Sequence, residues 1–131
     1  MQYSTAIRDA QSDAIARTVG AAPVLEVWSG AMPPNCAALD AGALLAVGTL
    51  PQEWMGRSEN GAVSLAGSWQ LLGQIGAGLG KRGSYFRIKQ AGMCHLQGTY
   101  GEGMEMVADV ATIANGQSVT VQIFTLTRGN A

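Results

Sequence analysis

Apolar residues near the start of the chain recur every three or four positions, which is the spacing of one face of an α-helix. The predicted helix lies in STAIRDAQSDAIARTVG, residues 4–20. Ser4 is placed to cap its first turn, because a serine hydroxyl can accept from an amide that has no partner within the helix. Gly20 is placed to end it in the left-handed conformation. The stripe expected to face a sheet or a neighbouring subunit is Ile7, Ala10, Ala14, Ile15 and Thr18.

After Pro23 the period changes from helical to alternating, as in a strand with two different faces. Leu25 and Val27 would face one side, and Glu26 and Trp28 the other. Further segments of strand length follow, separated by turn residues. The predicted strands are VLEVW, ALLAVGTL, AVSLAG, a short segment in SWQLLG, SYFRIKQ, MCHLQGTY, MEMVADV and SVTVQIFTLT.

This spacing of short strands predicts a mainly β protein, an antiparallel sandwich or barrel with one N-terminal helix. The chain of 131 residues fits a single domain, with residues 1–21 as a helical arm and residues 22–131 as the β-sandwich. Two loops interrupt the pattern, AMPPNCAALDAG at residues 31–42 and PQEWMGRSENG at residues 51–61.

Charged residues make up only 13% of the chain, with a net charge of −1. Soluble domains usually contain roughly 25%, so we expect part of the surface to be covered by a partner. The densest basic group is short (Lys81, Arg82, Arg87 and Lys89), which argues against nucleic acid as that partner. The 18 glycines are dispersed and indicate tight turns rather than a linker.

Two cysteines are too few for a disulfide framework. Cys36 and Cys94 could pair only if the fold brings them together, and we favour two free, half-buried thiols. The N-terminal segment lacks the apolar run of a signal peptide, and the longest apolar stretch, ALLAV, is far shorter than the ~20 residues that span a bilayer. We expect a protein made in the cytoplasm, not secreted and not bound to a membrane.

The glycine-rich stretch GQIGAGLGKR fits no phosphate-binding pattern. The P-loop would need a glycine at Ile75 and a hydroxyl at Arg82, and the dinucleotide pattern would need a glycine at Lys81. We therefore expect a loop after a short strand, with no nucleotide, cofactor or small-molecule substrate.

His95 is the one histidine and thus the one candidate base for a nucleophile, but no acid or nucleophile stands at a characteristic spacing from it. Glu105 and Asp109 would share a strand face near Glu102. A solvated face is the favoured interpretation, and a calcium or glycan contact or a carboxylate-pair hydrolase are the alternatives. The sequence predicts no catalytic, cofactor-binding or metal-binding residue, and a protein that is not an enzyme.

In the hairpin SYFRIKQAGMCHLQGTYG, alternation places Phe86 and Ile88 toward the core and Tyr85, Arg87 and Lys89 outward. The outward row is a candidate subunit interface. On the return strand, alternation places one face at Cys94, Leu96 and Tyr100, and the other, polar face at His95, Gln97 and Thr99.

Two other places suggest protein contacts. Trp54 and Met55 lie in a loop, where the indole either docks on a partner or folds back on its own core. Phe124 and Leu126 lie on the second face of the last strand, which fits either an oligomer interface or a face covered by the helix.

Five stretches of the chain carry a family likeness: YSTAIRDAQSDAIA, VLEVWSGAMPPN, LLAVGTLP, SYFRIKQ with LQGTYG, and TIANGQSVTVQIFTLT. In this order they resemble the capsid decoration (cement) proteins and related head-associated virion proteins of tailed bacteriophages. The resemblance implies a jelly-roll-like β-sandwich that is non-enzymatic, forms a homo-oligomer (dimer or trimer) and binds the major capsid protein on the outside of the capsid. The cysteines and the loop around Trp54 depart from the family pattern.

Three alternatives remain open. One is a tail, baseplate or fibre-associated β module that contacts host glycan. Another is a small hydrolase that uses His95 with the acids between Glu102 and Asp109. The third is a free-standing bacterial lectin-like module.

Overall fold

The predicted N-terminal helix forms, with the predicted caps. The computed structural model of the chain describes residues 2, 4–56 and 62–127. Residues 126 and 127 are described by their backbone only. The helix, α1, spans Thr5–Val19. The amide of Ile7 donates to the Ser4 hydroxyl over 3.2 Å. Gly20, at a φ of 96°, ends the helix, and its amide donates to the Ala16 carbonyl.

Strands make up most of the remaining regular structure. Within the described residues they are β1 (Val24–Trp28), β2 (Leu44–Thr49), β3 (Ala62–Ser64), β4 (Gln70–Gly73), β5 (Lys81–Arg82), β6 (Tyr85–Gln90), β7 (Met93–Thr99), β8 (Met106–Ala108), β9 (Thr112–Ile113) and β10 (Ser118–Thr127). A 3-10 turn, Ile75–Ala77, follows β4. The glycine-rich stretch is therefore a short strand followed by a loop, as predicted.

Eight strands pair into one antiparallel sheet in the order β3-β10-β4-β2-β1-β6-β7, with β8 paired to β10, while β5 and β9 form a separate ribbon. The sheet curls into a half-barrel, and a bridge between Tyr100 and Met106 joins the end of β7 to the start of β8. The prediction of a mainly β, antiparallel fold with one N-terminal helix is confirmed, and the curled sheet is consistent with a sandwich-like fold. The jelly-roll connectivity stays a prediction.

The face that α1 buries is not the predicted stripe. Ser12 and Val19 are its buried residues, whereas Ile7 is 49% exposed. Alanines at positions 10 and 14 contribute little apolar area, so at about 25 cal/mol per Å² they do not fix which side turns inward. Val19 determines which side of the helix faces inward, because its side chain lies in the main hydrophobic core. Contact with the sheet is confirmed, since α1 lies against β3.

A group of aromatic rings fills the core. Trp69 lies 5.9 Å from Trp54 and 5.4 Å from Phe124 between ring centroids, and Phe124 meets Phe86 edge-on at 5.4 Å. The indole of Trp54 also donates to the Gly20 carbonyl over 2.9 Å, which ties its loop to the end of α1. The loop tryptophan therefore folds back on its own core, one of the two arrangements considered from the sequence.

A β-bulge in β7 changes the predicted faces of the hairpin. Ile88 pairs with Leu96, but the next residue, Lys89, pairs with Cys94. His95 is the extra residue and has no Cα partner on β6. The assignment of Cys94 and Leu96 to one face is therefore wrong, because a bulge moves the residues beyond it to the opposite face. Cys94 shares the face of Lys89, which is the outer face of the sheet.

Candidate functional site

The loop between β1 and β2, residues 29–43, folds across the outer face of the sheet, opposite the core. We call it the covering loop. Tyr85, Arg87 and Lys89 point away from Phe86 and Ile88, as predicted. Their expected exposure to solvent is wrong, because the covering loop of the same chain lies on them and leaves Arg87 only 2% exposed.

The guanidinium of Arg87 is the centre of the contact between loop and sheet. It donates to the Ala38 carbonyl over 3.0 Å, to the Asn35 carbonyl over 3.1 Å and to the Asp40 carboxylate over 2.8 Å. Its Nε donates to the Gln97 side chain on β7 over 3.1 Å. One buried cation thus binds three residues of the covering loop and the neighbouring strand, which satisfies the condition that a buried charge be paired and hydrogen-bonded.

Lys89 extends the network to β1. Its ammonium lies 2.8 Å from a carboxylate oxygen of Asp40 and 2.9 Å from one of Glu26. The Glu26 carboxylate also accepts from the Trp28 indole over 3.1 Å, and the Lys89 nitrogen lies 5.8 Å from the centre of a Trp28 ring. Two cations and two carboxylates balance, so the site has no net charge for an anionic or cationic ligand.

The pKa values of the network follow from these contacts. Burial opposes ionisation of Asp40, but the hydrogen bonds and charges of Lys89 and Arg87 outweigh it and lower the pKa of the carboxyl below 3.8. Burial likewise opposes the charge of Lys89, but Asp40 and Glu26 raise its pKa above 10.5. Both groups are therefore fully charged at neutral pH and are unsuited to exchange protons with a substrate.

Uncharged groups hold one end of the covering loop on the sheet and join its two ends to each other. The Tyr85 hydroxyl accepts from the Ala41 amide over 3.0 Å and donates to the carbonyl of the same residue. The Ala43 amide donates to the Ser29 hydroxyl over 3.1 Å, and the Ser29 amide donates back to the Ala43 carbonyl over 3.0 Å. The loop thus has a defined conformation along its length.

A disulfide between Cys36 and Cys94 joins the middle of the covering loop to β7, with their Cα atoms 5.2 Å apart. The expectation of two free thiols is wrong. The bulge at His95 explains why, since it turns Cys94 to the face on which the loop lies. The Gln97 side chain donates to the Pro33 carbonyl over 2.8 Å on the same face.

Next to the disulfide, the covering loop and the turn between β6 and β7 enclose a shallow cleft of about 520 Å³. Leu39 and Met93, which are 89% and 67% exposed, stand at its rim. Arg87 and Lys89 lie at its base, already paired with carboxylates. The arrangement offers a fixed apolar contact for another molecule, and its base holds no free nucleophile or base.

The interface residues predicted from the sequence were Trp54, Met55, Tyr85, Arg87, Lys89, Phe124 and Leu126. The structure brings Tyr85, Arg87 and Lys89 together, but beneath the covering loop. Trp54 and Phe124 lie in the core, and Met55 is half-buried against it. Trp54, Tyr85, Arg87 and Phe124 are buried by the chain itself and are therefore not exposed contact residues. Met55 and Lys89 are half-buried, and their place in an interface stays a prediction. The side chain of Leu126 lies outside the described residues.

Sequence reasoning missed Leu39, Asp40 and Met93. The strand period predicts which way a side chain points, but not that a distant loop will lie on it. The available signal was the rigid, proline-containing segment around Cys36 together with a second cysteine in a strand.

The candidate catalytic groups have structural surroundings. His95 is exposed at the bulge, beside α1. Glu105 accepts from the Thr99 amide over 3.1 Å, and Asp109 accepts from the Thr120 amide over 3.0 Å. Both acids are exposed, which agrees with the predicted solvated face.

Across the part of the chain that the structure describes, no three His, Cys, Asp or Glu side chains group as metal ligands would. Among the same residues, no helix has the length and apolar character needed to cross a membrane.

Comparisons with known proteins add no relative to this description. No protein-family model, no curated protein and no solved structure matches the chain.

Proposed function

We propose that the protein is a non-enzymatic structural component of a tailed-phage virion, a decoration or cement protein. In this proposal it binds the outside of the capsid and stabilises contacts between major capsid subunits. It also associates with itself, as a dimer or trimer. It takes no cofactor, nucleic acid, membrane or small-molecule substrate.

The observation that supports a binding role is the fixed covering loop together with Leu39 and Met93, which are exposed at the rim of the cleft. A bulky apolar side chain that is 89% exposed gains free energy when a partner covers it. Because Arg87 and the disulfide already fix the loop, binding loses little conformational entropy. A fixed, exposed apolar side chain suits docking on a protein lattice better than binding and releasing a substrate.

The mechanism is thermodynamic. A protein that binds only the assembled shell stabilises it by mass action, in proportion to the logarithm of its free concentration over its dissociation constant. Many copies with modest interfaces act together through multivalency. The low content of charged residues, 13%, suits such apolar contacts.

Two measurements test the proposal. Quantitative mass analysis of purified particles should find hundreds of copies in each, whereas a fibre or baseplate protein would be present in tens or fewer. Purified protein added to particles that lack it should bind and raise their disruption temperature.

The double variant Leu39→Ser with Met93→Ser should bind at least about tenfold more weakly, since each side chain contributes more than about 1 kcal/mol when buried. Ile7→Ser on the exposed face of α1 is the matched control and should bind normally. A handful of copies per particle, or equal binding by the double variant and the control, would contradict the proposal.

A further inference from the structure

The Cys36–Cys94 disulfide lies in the wall of an open cleft. Both cysteines line the cleft of about 520 Å³, and both are half-buried rather than enclosed. The bond is thus open to a small-molecule thiol such as glutathione while the chain stays folded. Access to solvent is what separates disulfides that exchange with thiols from structural disulfides that resist them.

Arg87 fixes the position of Cys36 independently of the disulfide. The residues on either side of this cysteine, Asn35 and Ala38, both accept from the Arg87 guanidinium through their carbonyls, over 3.1 and 3.0 Å. The Ala38 amide closes the same turn by donating to the Asn35 side chain over 3.0 Å. These contacts involve no sulfur atom, so they remain possible when the disulfide is reduced.

The strand side of the bond is fixed in a similar way. Cys94 pairs with Lys89 of β6 in the register that the bulge sets. On the same face of β7, Gln97 donates to the Pro33 carbonyl of the covering loop over 2.8 Å. A reduced Cys94 has an acceptor for its thiol, since the Leu96 carbonyl lies 3.4 Å from the sulfur. The two thiols therefore stay next to each other when the bond is open.

We propose that Cys36 and Cys94 form a thiol–disulfide exchange site for small-molecule thiols, which open and close the bond while the covering loop stays on the sheet. A thiolate attacks one sulfur of the bond, the other sulfur leaves as a thiolate, and a mixed disulfide forms. A second thiolate then displaces the remaining protein sulfur. In balance, two small thiols are oxidised to one disulfide and the protein disulfide is reduced to two thiols. The reverse reaction closes the bond.

Closing the bond joins the two segments that carry the exposed apolar side chains. Cys36 lies three residues before Leu39, and Cys94 directly follows Met93. A cross-link spanning 58 residues acts mainly on the unfolded chain, so opening it lowers stability but leaves the docked loop as the folded state. The exchange goes beyond the proposed function and does not rest on it, because it needs neither a capsid nor an oligomer.

The test uses the purified full chain in mixtures of reduced and oxidised glutathione. Acid quenching and intact mass separate the closed, mixed-disulfide and dithiol forms. The closed form should be reduced at a rate proportional to the glutathione thiolate concentration and unchanged by urea below the unfolding transition. In the dithiol form the tryptophan fluorescence and the slow exchange of the Ala41 amide, which donates to the Tyr85 hydroxyl, should both persist.

Variants test whether the loop contacts position the thiols. The effective concentration of one thiol toward the other follows from the glutathione mixture at which half of the molecules are closed. It should be at least about 30-fold higher in the folded wild type than in unfolding urea. In Arg87→Met it should fall at least about fivefold, because both hydrogen bonds beside Cys36 are lost. Arg17→Met, on the exposed side of α1, is the matched control and should equal the wild type.

A milder variant covers the case in which reduced Arg87→Met does not fold. Gln97→Met loses the contact with the Pro33 carbonyl and should lower the effective concentration at least about twofold. Three results would overturn the inference: reduction that occurs only in step with unfolding, loss of protection at the Ala41 amide in the dithiol form, or an effective concentration in the folded variants equal to that of the control. None of them bears on particle binding, which has its own test.

Discussion

Replacing Arg87 by methionine is expected to destabilise the protein by about 3 kcal/mol. Methionine keeps the apolar stem of the side chain but donates no hydrogen bond. Three uncharged oxygens lose their donor: the carbonyls of Asn35 and Ala38 and the side-chain oxygen of Gln97. Each net hydrogen bond is worth about 1 kcal/mol. The Asp40 carboxylate is 31% exposed and keeps Lys89 as its partner, so its share is small.

Urea unfolding at pH 7, followed by tryptophan fluorescence, measures this loss directly. For a domain of this size, about 3 kcal/mol corresponds to a fall of roughly 10 °C in melting temperature. Hydrogen exchange shows whether the lost stability lies in the covering loop. The Ala41 amide, which donates to the Tyr85 hydroxyl, should exchange faster once the loop is released. Arg17→Met, on the exposed side of α1, is the matched control and should change stability by no more than about 0.5 kcal/mol.

A loss of less than about 1 kcal/mol in Arg87→Met, or of no more than in the control, would contradict this role of Arg87. A loss of stability without a change in exchange at the Ala41 amide would contradict it equally. In either case the guanidinium would not be the group that holds the covering loop on the sheet.

Four further changes test other contacts. Replacing Cys36 and Cys94 by serine should cost up to about 4 kcal/mol, the chain-entropy value for a cross-link spanning 58 residues, and a reducing agent should destabilise the wild type but not this variant. Asp40→Asn should flatten the acid limb of the stability curve, because a carboxyl with a lowered pKa stabilises the fold above pH 3.8 and loses that contribution as the pH falls through its folded-state pKa. Burial and a neighbouring carboxylate raise the pKa of Tyr100 to about 12. The part of the absorbance at 295 nm that is missing in Tyr100→Phe should therefore titrate near pH 12, and the wild type should lose stability between pH 10 and 12. Titration of this signal near pH 10 would contradict the raised pKa. Trp54→Phe should cost about 1–2 kcal/mol in urea unfolding through its indole hydrogen bond, and an unchanged midpoint would contradict that role.

Local rules predicted the elements of this fold and failed at its long-range contacts. The caps at Ser4 and Gly20 and the alternation of Leu25 and Val27 depend on neighbours within a few residues, and all are confirmed. The bulge at His95 leaves no mark in the local hydrophobic pattern, yet it moved a cysteine to the other face and made a disulfide possible.

The candidate site could not be predicted because its cover is distant in sequence. An alternating row that includes Arg87 is typical of a solvated strand face, and the same row is equally compatible with a face under a loop whose contacts lie 47 to 52 residues away. What distinguishes the two is whether the cations find acceptors. The sequence pattern reveals the hydrogen-bond donors in the strand. The backbone carbonyls that accept from these donors have no sequence signature.

This covering also changes the meaning of the low charge content. Of 8 basic and 9 acidic residues, two of each sign form the network beneath the loop: Arg87, Lys89, Asp40 and Glu26. The surface is therefore poorer in charge than the composition suggests.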